Sequence, residues 1–354
     1  MSEEARPAAE CELPRMGVHD GSPCLSHDGK TLVWFHREAE QAYLCVLTFP
    51  WHGAPQKVEV RNALRVRNYT DPIQLSGDGC QALVTGQHVE IVDGKPMVRG
   101  RLPELVSYFG AAVSFDGSAV VTSIEGGRRV RLFSCEEGRY VKGAALTPTN
   151  SRQPVRNWLI SGDGKVVMYE QGDTLWQARS GGTTWQMGPI PPERPIGMTP
   201  RSLSADGRML LARGITLARG RKAASIYLWS RDGSGKWQEP KLVLDNQRHA
   251  VYNCRMSADA RTVLWVHYTR DNNSRITRTE LKFIRQQGDG WSEPTTVLKQ
   301  EGHIQFGDIS LADNDVLAYT LTTKVPSSYT VFLRPDLKPG TQAININERM
   351  RGSP

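Results

Sequence analysis

The sequence predicts an all-β protein, a seven-bladed β-propeller of four-stranded antiparallel blades. Three observations predict it. A phrase of an apolar residue, Ser, one variable residue and Asp-Gly, followed by an apolar β-rich run, recurs seven times. Its aspartates stand 50, 38, 47, 43, 53 and 54 residues apart. The 354 residues are long for one ordinary core but suit a radial array of small sheets, none of which buries its apolar face alone.

The units follow in chain order. The first reads Leu25-Ser26-His27-Asp28-Gly29, then Thr31-Leu32-Val33-Trp34-Phe35 as a second strand and Tyr43-Leu44-Cys45-Val46-Leu47 as a third. The second is Leu75-Ser76-Gly77-Asp78-Gly79 with Ala82-Leu83-Val84-Thr85. The third, Val113-Ser114-Phe115-Asp116-Gly117, leads into Ala119-Val120-Val121-Thr122 and Val130-Arg131-Leu132-Phe133. The fourth is Ile160-Ser161-Gly162-Asp163-Gly164 with Val166-Val167-Met168-Tyr169. Leu203-Ser204-Ala205-Asp206-Gly207 opens the fifth, with Met209-Leu210-Leu211 and Ser225-Ile226-Tyr227-Leu228-Trp229. Two weaker copies close the array: Met256-Ser257-Ala258-Asp259-Ala260 before Thr262–Val266, and Ser310-Leu311-Ala312-Asp313-Asn314 before Val316–Thr320. These short β-branched and aromatic runs read as strands, with no competing helical period. Asp28, Asp78, Asp116, Asp163, Asp206, Asp259 and Asp313 read as turn-formers, because Asp-Gly supplies a side-chain acceptor and a positive φ. A fourth strand is expected to open with Trp after a Gly-rich turn, as at Gly235-Lys236-Trp237-Gln238-Glu239-Pro240 and Gly290-Trp291-Ser292-Glu293-Pro294.

The Ser-x-Asp-Gly-Lys turn and the Trp-x-Glu-Pro segment together resemble the WD-repeat-like propeller repeats of TolB-like proteins, over roughly residues 17–335. The resemblance implies a propeller and leaves the activity open, since that fold hosts binding, scaffolding and several chemistries. That repeat usually carries Pro before the Asp; here the place holds His27, Gly77, Phe115, Gly162, Ala205, Ala258 and Ala312. Residues 1–16 read as a flexible N-terminal segment and 336–354 as a tail. Either Ala343-Ile344-Asn345-Ile346 or the residues near Leu13 would complete the seventh blade and close the ring.

The composition is that of a turn-rich globular chain, with 39% hydrophobic residues and 33 Gly plus 21 Pro. No apolar run reaches the roughly 20 residues of a membrane span, and the first residues lack an apolar signal core. The six cysteines, Cys11, Cys24, Cys45, Cys80, Cys135 and Cys254, show no metal or disulfide spacing. Cys24 and Cys80 are expected to act as small hydrophobes beside the repeat strands. A reducing cytoplasm fits.

The formal net charge is +7. Fixing each Asp-Gly turn between the first two strands assigns every loop to a face. One face collects the seven aspartates with Glu136, Glu137, Asp232 and Asp289. The other, formed by inter-blade loops and by the turns between second and third strands, collects the arginines. Its binding candidates are Arg61, Arg65, Arg67, Arg128, Arg129, Arg213, Arg219, Arg221, Lys222, Arg270, Arg275 and Arg278, with residues 213–222 the strongest segment. Such polarity suits an acidic protein partner. Nucleic acid is the lesser candidate, because no aromatic platform interleaves the arginines. Local pairing with Glu40, Glu104, Glu125 or Asp271 is the competing use of these side chains.

For chemistry, His19, His249 and His303 fall at matching offsets before their turns, and could meet as a metal site at the channel mouth of blades 6, 7 and 1. Ser230-Arg231-Asp232-Gly233-Ser234-Gly235-Lys236-Trp237 partly matches the structural turn box of sialidase-type propellers. No Gly-x-Ser-x-Gly elbow, P-loop or dinucleotide fingerprint occurs. The expectation is a non-enzymatic interaction, scaffold or regulatory subunit without a cofactor. The alternative is a propeller enzyme of hydrolase type, or a small-ligand or metal binder, acting at the channel mouth.

Overall fold

The computed structural model describes residues 18–346, apart from 39–40, 52, 61–72, 104–110, 126, 149–152, 173, 182–183, 191–197, 219–220, 245–249, 272–274, 289, 303–304, 323–328 and 340. Its strands form seven antiparallel sheets in chain order, one per repeat. Blade 1 holds β1 (Val18–Leu25), β2 (Thr31–Glu38), β3 (Gln41–Thr48) and β4 (Gln56–Glu59). Blade 2 holds β5 (Ile73–Leu75), β6 (Gln81–Val84), β7 (Gln87–Val92) and β8 (Lys95–Arg101). Blade 3 holds β9 (Ala111–Val113), β10 (Ala119–Ile124), β11 (Arg129–Glu136) and β12 (Arg139–Ala145), and blade 4 holds β13 (Val155–Ile160), β14 (Val166–Gln171), β15 (Thr174–Ser180) and β16 (Trp185–Pro189). Blade 5 comprises β17 (Thr199–Leu203), β18 (Met209–Ala218), β19 (Arg221–Ser230) and β20 (Lys241–Leu244). Blade 6 comprises β21 (Ala250–Met256), β22 (Thr262–Arg270), β23 (Ile276–Gln287), β24 (Gly290–Trp291) and β25 (Thr295–Glu301). Blade 7 comprises β26 (Gln305–Leu311), β27 (Leu317–Thr322), β28 (Tyr329–Arg334) and β29 (Ile344–Asn345). The chain is thus a seven-bladed all-β propeller. Among the described residues, no helix is long and apolar enough to cross a membrane.

The repeated phrase forms one compact turn. In the first six blades the Ser is buried. In blade 4, Ser161 Oγ donates to Asp163 Oδ1 at 2.6 Å and accepts from Val166 N–H at 2.9 Å. Asp163 Oδ1 also accepts the Lys165 N–H at 3.0 Å. The same three bonds recur in blades 1, 2, 3, 5 and 6. Asp28, Asp78, Asp116, Asp163, Asp206 and Asp259 are all in this position. The next residue takes a left-handed backbone, and at Gly79, with φ +76°, an added Cβ would also lie 2.6 Å from Thr31 Oγ1. Ala260 adopts the same conformation at φ 62° without being glycine.

Blade 7 departs from the sequence register by one residue. Ala312 takes the serine place, Asn314 the aspartate place and Asp315 the left-handed place at φ 69°. Asn314 Oδ1 accepts the Val316 N–H at 3.3 Å. Asp313 is therefore the variable residue of its turn, not its acceptor. A shorter turn causes the shift, because the Ala312 N–H pairs four residues on with Val316 where Ser26 pairs five residues on with Thr31.

The apolar runs are continuous because second strands are buried on both faces. Val121 of β10 packs with blade 4 while its neighbour Val120 packs with blade 2. Likewise Val263 and Trp265 of β22 face blade 5, and Leu264 and Val266 face blade 7. The core is accordingly divided into seven clusters, one in each seam between blades.

The seams are also joined by a girdle at the Asp-Gly turns. His27 N donates to Gly77 O, Asp78 N to Phe115 O, Phe115 N to Gly162 O, Gly162 N to Ala205 O and Ala205 N to Ala258 O, all at 2.7–2.8 Å. Asp259 N continues to Asp313 Oδ1 at 2.9 Å, and Asp313 N returns to His27 O at 2.8 Å. Every link runs in the same rotational sense. Among the described residues each blade is contiguous in sequence, and blades 7 and 1 share no strand. Asn314 Nδ2 to Asp28 O at 2.7 Å and Leu25 N to Ser310 Oγ at 2.9 Å add to that seam.

Fourth strands differ from expectation. Trp237 bridges only to Arg231 and precedes β20, while Gly290-Trp291 is a short strand ahead of β25. The Trp-x-Glu-Pro segment is therefore the approach to the outer strand. Trp237 is buried, donates Nε1 to Gln177 Oε1 at 3.0 Å and carries the Arg231 guanidinium 4.3 Å above its ring. β29 takes the fourth place of blade 7 by pairing with β28, and the residues near Leu13 lie outside the described part. The thiols also sort differently, with Cys45 and Cys254 buried and Cys80 exposed.

Candidate functional site

The topology places the hairpins between second and third strands, and the inter-blade loops, on the face opposite the Asp-Gly turns. Among the described residues, two hairpins stay paired furthest on that face. β18 and β19 stay paired out to Ala218↔Arg221, and β22 and β23 out to Arg270↔Ile276. β18 has 10 residues where β14 has 6. At roughly 3.3 Å per residue, that adds about 13 Å of hairpin.

Arg221 and Lys222 lie on β19 opposite Ala218 and Leu217, near the tip. Arg213 is half-buried lower on β18, opposite Ile226. Arg270 and Arg275 are exposed at the tip of the blade 6 hairpin, and the Arg275 N–H donates to Asp271 Oδ1 at 2.9 Å. Arg278 lies 3.8 Å from Glu280. On blade 3, Arg128 is exposed and Arg129 pairs with Glu125 at 3.0 Å. Arg61, Arg65, Arg67 and Arg219 lie outside the described residues. Local pairing thus claims part of this set, and of the described candidates six lie on the hairpins of blades 5 and 6.

The opposite face is less acidic than a count of its carboxylates suggests. Each turn aspartate is drawn into its own turn, and cations two residues on stand beside three of them. Lys30 lies 3.4 Å from Asp28, Lys165 3.9 Å from Asp163 and Arg261 3.8 Å from Asp259. Burial pushes the Asp28 and Asp116 carboxyls up. Their N–H and hydroxyl donors outweigh it and hold both below the usual carboxylate range. Burial lowers the His27 imidazole against the pull of Asp313, Asp28 and Asp78. His27 and Phe115 meet over Gly77, with ring centroids 5.2 Å apart.

The inner strands carry a feature that periodicity alone does not reveal. In blades 1, 4, 5, 6 and 7 they are interrupted by β-bulges between Gly21/Cys24, Arg156/Leu159, Pro200/Ser202, Tyr252/Cys254 and Phe306/Ile309. Bulges re-aim side chains, and here they lie in the strands that enclose a cavity of about 330 Å³. Its wall includes Arg201, Arg255, Asp308, Asn157, Ser202 and Ser310. The loop-by-loop assignment of charge puts Arg201, five residues before Asp206, on the inter-blade face with the other arginines, and leaves out Arg255, four residues before Asp259.

Of the histidines, His19 stands on β1 opposite Arg37, while His249 and His303 lie outside the described residues. Among the described residues, no three His, Cys, Asp or Glu side chains gather as a metal cage.

No family model matches this chain, and no curated protein matches it. Among solved structures it is similar to the β-propeller domain of Cps50 (Swd1) from Myceliophteria thermophila. That likeness has 14% identity and a TM-score of 0.58, over 91% of this chain and 97% of that one. An acylaminoacyl peptidase is similar at 10% identity and a TM-score of 0.59, over 93% of this chain and 52% of the other. Prolyl oligopeptidase B from Galerina marginata is similar at 12% identity and 0.58, over 94% and 50%. The chain therefore spans about half the length of these two peptidases. At such identities the likeness speaks for the fold alone, and by fold the chain is a seven-bladed β-propeller.

Proposed function

We propose that this protein is a non-enzymatic interaction or regulatory subunit of the cytoplasm. It presents the hairpins of blades 5 and 6 to an acidic protein segment. The observation behind this reading is the length of the second strands of blades 5 and 6, 10 and 9 residues where those of the other blades have 4 to 8, with Arg221, Lys222, Arg270 and Arg275 toward the hairpin tips. A preorganised scaffold lowers the ordering cost of binding, and concentrated positive charge raises the encounter rate with an acidic chain. Free thiols at Cys80, Cys135 and Cys254 suit a reducing compartment.

The test is fluorescence anisotropy with a labelled polyglutamate peptide, across a salt series, using the full chain. Saturable, salt-sensitive binding is expected. Arg221→Glu with Lys222→Glu should weaken it at least about tenfold, or about 1.4 kcal/mol. Unchanged binding by that variant refutes the choice of face, and tighter binding of duplex DNA than of the peptide refutes the choice of partner.

A further inference from the structure

The cavity among the inner strands has a charged wall on its blade 5 and blade 6 side. We propose that it binds a compact small molecule bearing carboxylate or phosphate oxygens, gripped by Arg201 and Arg255. Arg201 sits within the bulge between Pro200 and Ser202, and Arg255 follows the bulge at Asn253, whose φ is 40°. Arg201 is thus the extra residue of its bulge, and Arg255, paired with Leu264, stands two residues past the other.

The two do not stand alone. Burial pushes the Cys254 thiol up, and Arg201, Arg255 and Arg213 all act against that rise. Of the three, Arg201 and Arg255 belong to the cavity wall. Two guanidiniums in one wall offer an anion a pair of cationic donors. Guanidinium is suited to that task because its planar fork meets two oxygens of a carboxylate or phosphate at once.

The rest of the wall fits an oxygen-rich ligand. Ser202 Oγ accepts the Met256 N–H at 3.2 Å, and Ser310 Oγ accepts the Leu25 N–H at 2.9 Å, which orients both hydroxyls as donors. The carboxylate among the lining residues, Asp308, stands on β26 of blade 7, the inner strand next to β21, and accepts from Ser22 Oγ at 3.4 Å. Two cations against one anion leave the lining positive. A volume of about 330 Å³ falls at the small end of ligand pockets, which selects a compact metabolite-sized molecule over a folded chain.

This site is separate from the hairpin tips, so the two readings fail independently. The experiment is isothermal titration calorimetry of the full chain with citrate and with inorganic phosphate, and with putrescine as a cationic control. Saturable one-to-one binding of either anion is expected, without heat from putrescine. Arg201→Gln with Arg255→Gln should weaken binding at least about tenfold, while the paired Arg→Lys changes, which keep charge but lose the fork, should fall between. Arg128→Gln, and the tip variant Arg221→Glu with Lys222→Glu, should bind as the parent does. Circular dichroism melting of each variant separates lost binding from lost folding. Equal affinity in a folded double glutamine variant overturns the proposal, as does the absence of saturable binding of either anion at millimolar concentration.

Discussion

At the scale of single residues, the repeat is a device for satisfying buried polar groups. Ser161 is fully buried, and its hydroxyl serves both Asp163 and the Val166 N–H. Ser161→Ala leaves that N–H without its partner inside the fold. A loss of about 1–3 kcal/mol is expected, read as a lowered urea midpoint with an unchanged slope. The carboxylates set a pH dependence whose sign can be worked out. Asp28 and Asp116 titrate lower folded than unfolded, so their contribution is complete above the unfolded value near 3.8 and is lost as pH falls below it. His27 also titrates lower when folded, so the folded chain binds fewer protons and stability begins to fall as pH drops below about 6.5. His27→Gln should flatten the stability curve between pH 6.5 and the carboxylate range, as followed by denaturant melts at stepped pH. A slope unchanged by that substitution refutes the assignment.

At the scale of elements, what the sequence made legible was whatever local chemistry dictates. Asp-Gly turns and the double-sided strands after them could be read because a tight turn and a strand buried on both faces each demand particular residues. The outer strands could not, since Trp237 is held by Gln177 and Arg231 across space and only then does the chain enter β20. The bulges at Pro200/Ser202 and Tyr252/Cys254 were equally hidden, being set by the neighbouring strand and not by a local pattern. For that reason the place of Arg201 and Arg255 on the channel wall was not legible, while Arg221 and Lys222 could be marked from the sequence. The double-sided strands yield a prediction of their own. Leu264→Ala should cost about 2–5 kcal/mol and Val263→Ala less. Because the two side chains face different seams, the double variant should equal the sum within about 0.5 kcal/mol. Strong coupling in a double-mutant cycle would mean that the seams are not separate cores.

For the whole molecule, the ring depends on how blades 7 and 1 meet. Blade 7 is completed by the segment after Arg334, whose fully buried guanidinium donates to Asp336 O at 2.9 Å, to Val297 O at 3.4 Å and to Lys338 O. Those carbonyls come from β25 and from the chain leading to β29. Removing residues 336–354 strips the charge of two of its three acceptors and the blade of its outer strand. The expected cost is about 3–5 kcal/mol, seen as a thermal transition lowered by several degrees or as loss of soluble protein. A truncated chain as stable as the parent would show that the ring closes on blades 7 and 1 without this segment.

The one-way girdle bears on which amino acids the repeat can tolerate. His27, Phe115, Gly162, Ala205 and Asp313 each lend a main-chain hydrogen to the next blade, whereas Gly77 and Ala258 lend only a carbonyl. Proline, the residue most common at this place in similar repeats, has no such hydrogen to give. Ala205→Pro should therefore break the link to Ala258 and lower the melting temperature, while Ala258→Pro should be borne with a much smaller change. A reversed order in paired melts would refute this account. The missing prolines are then the written trace of a molecule whose repeats hold hands through their backbones.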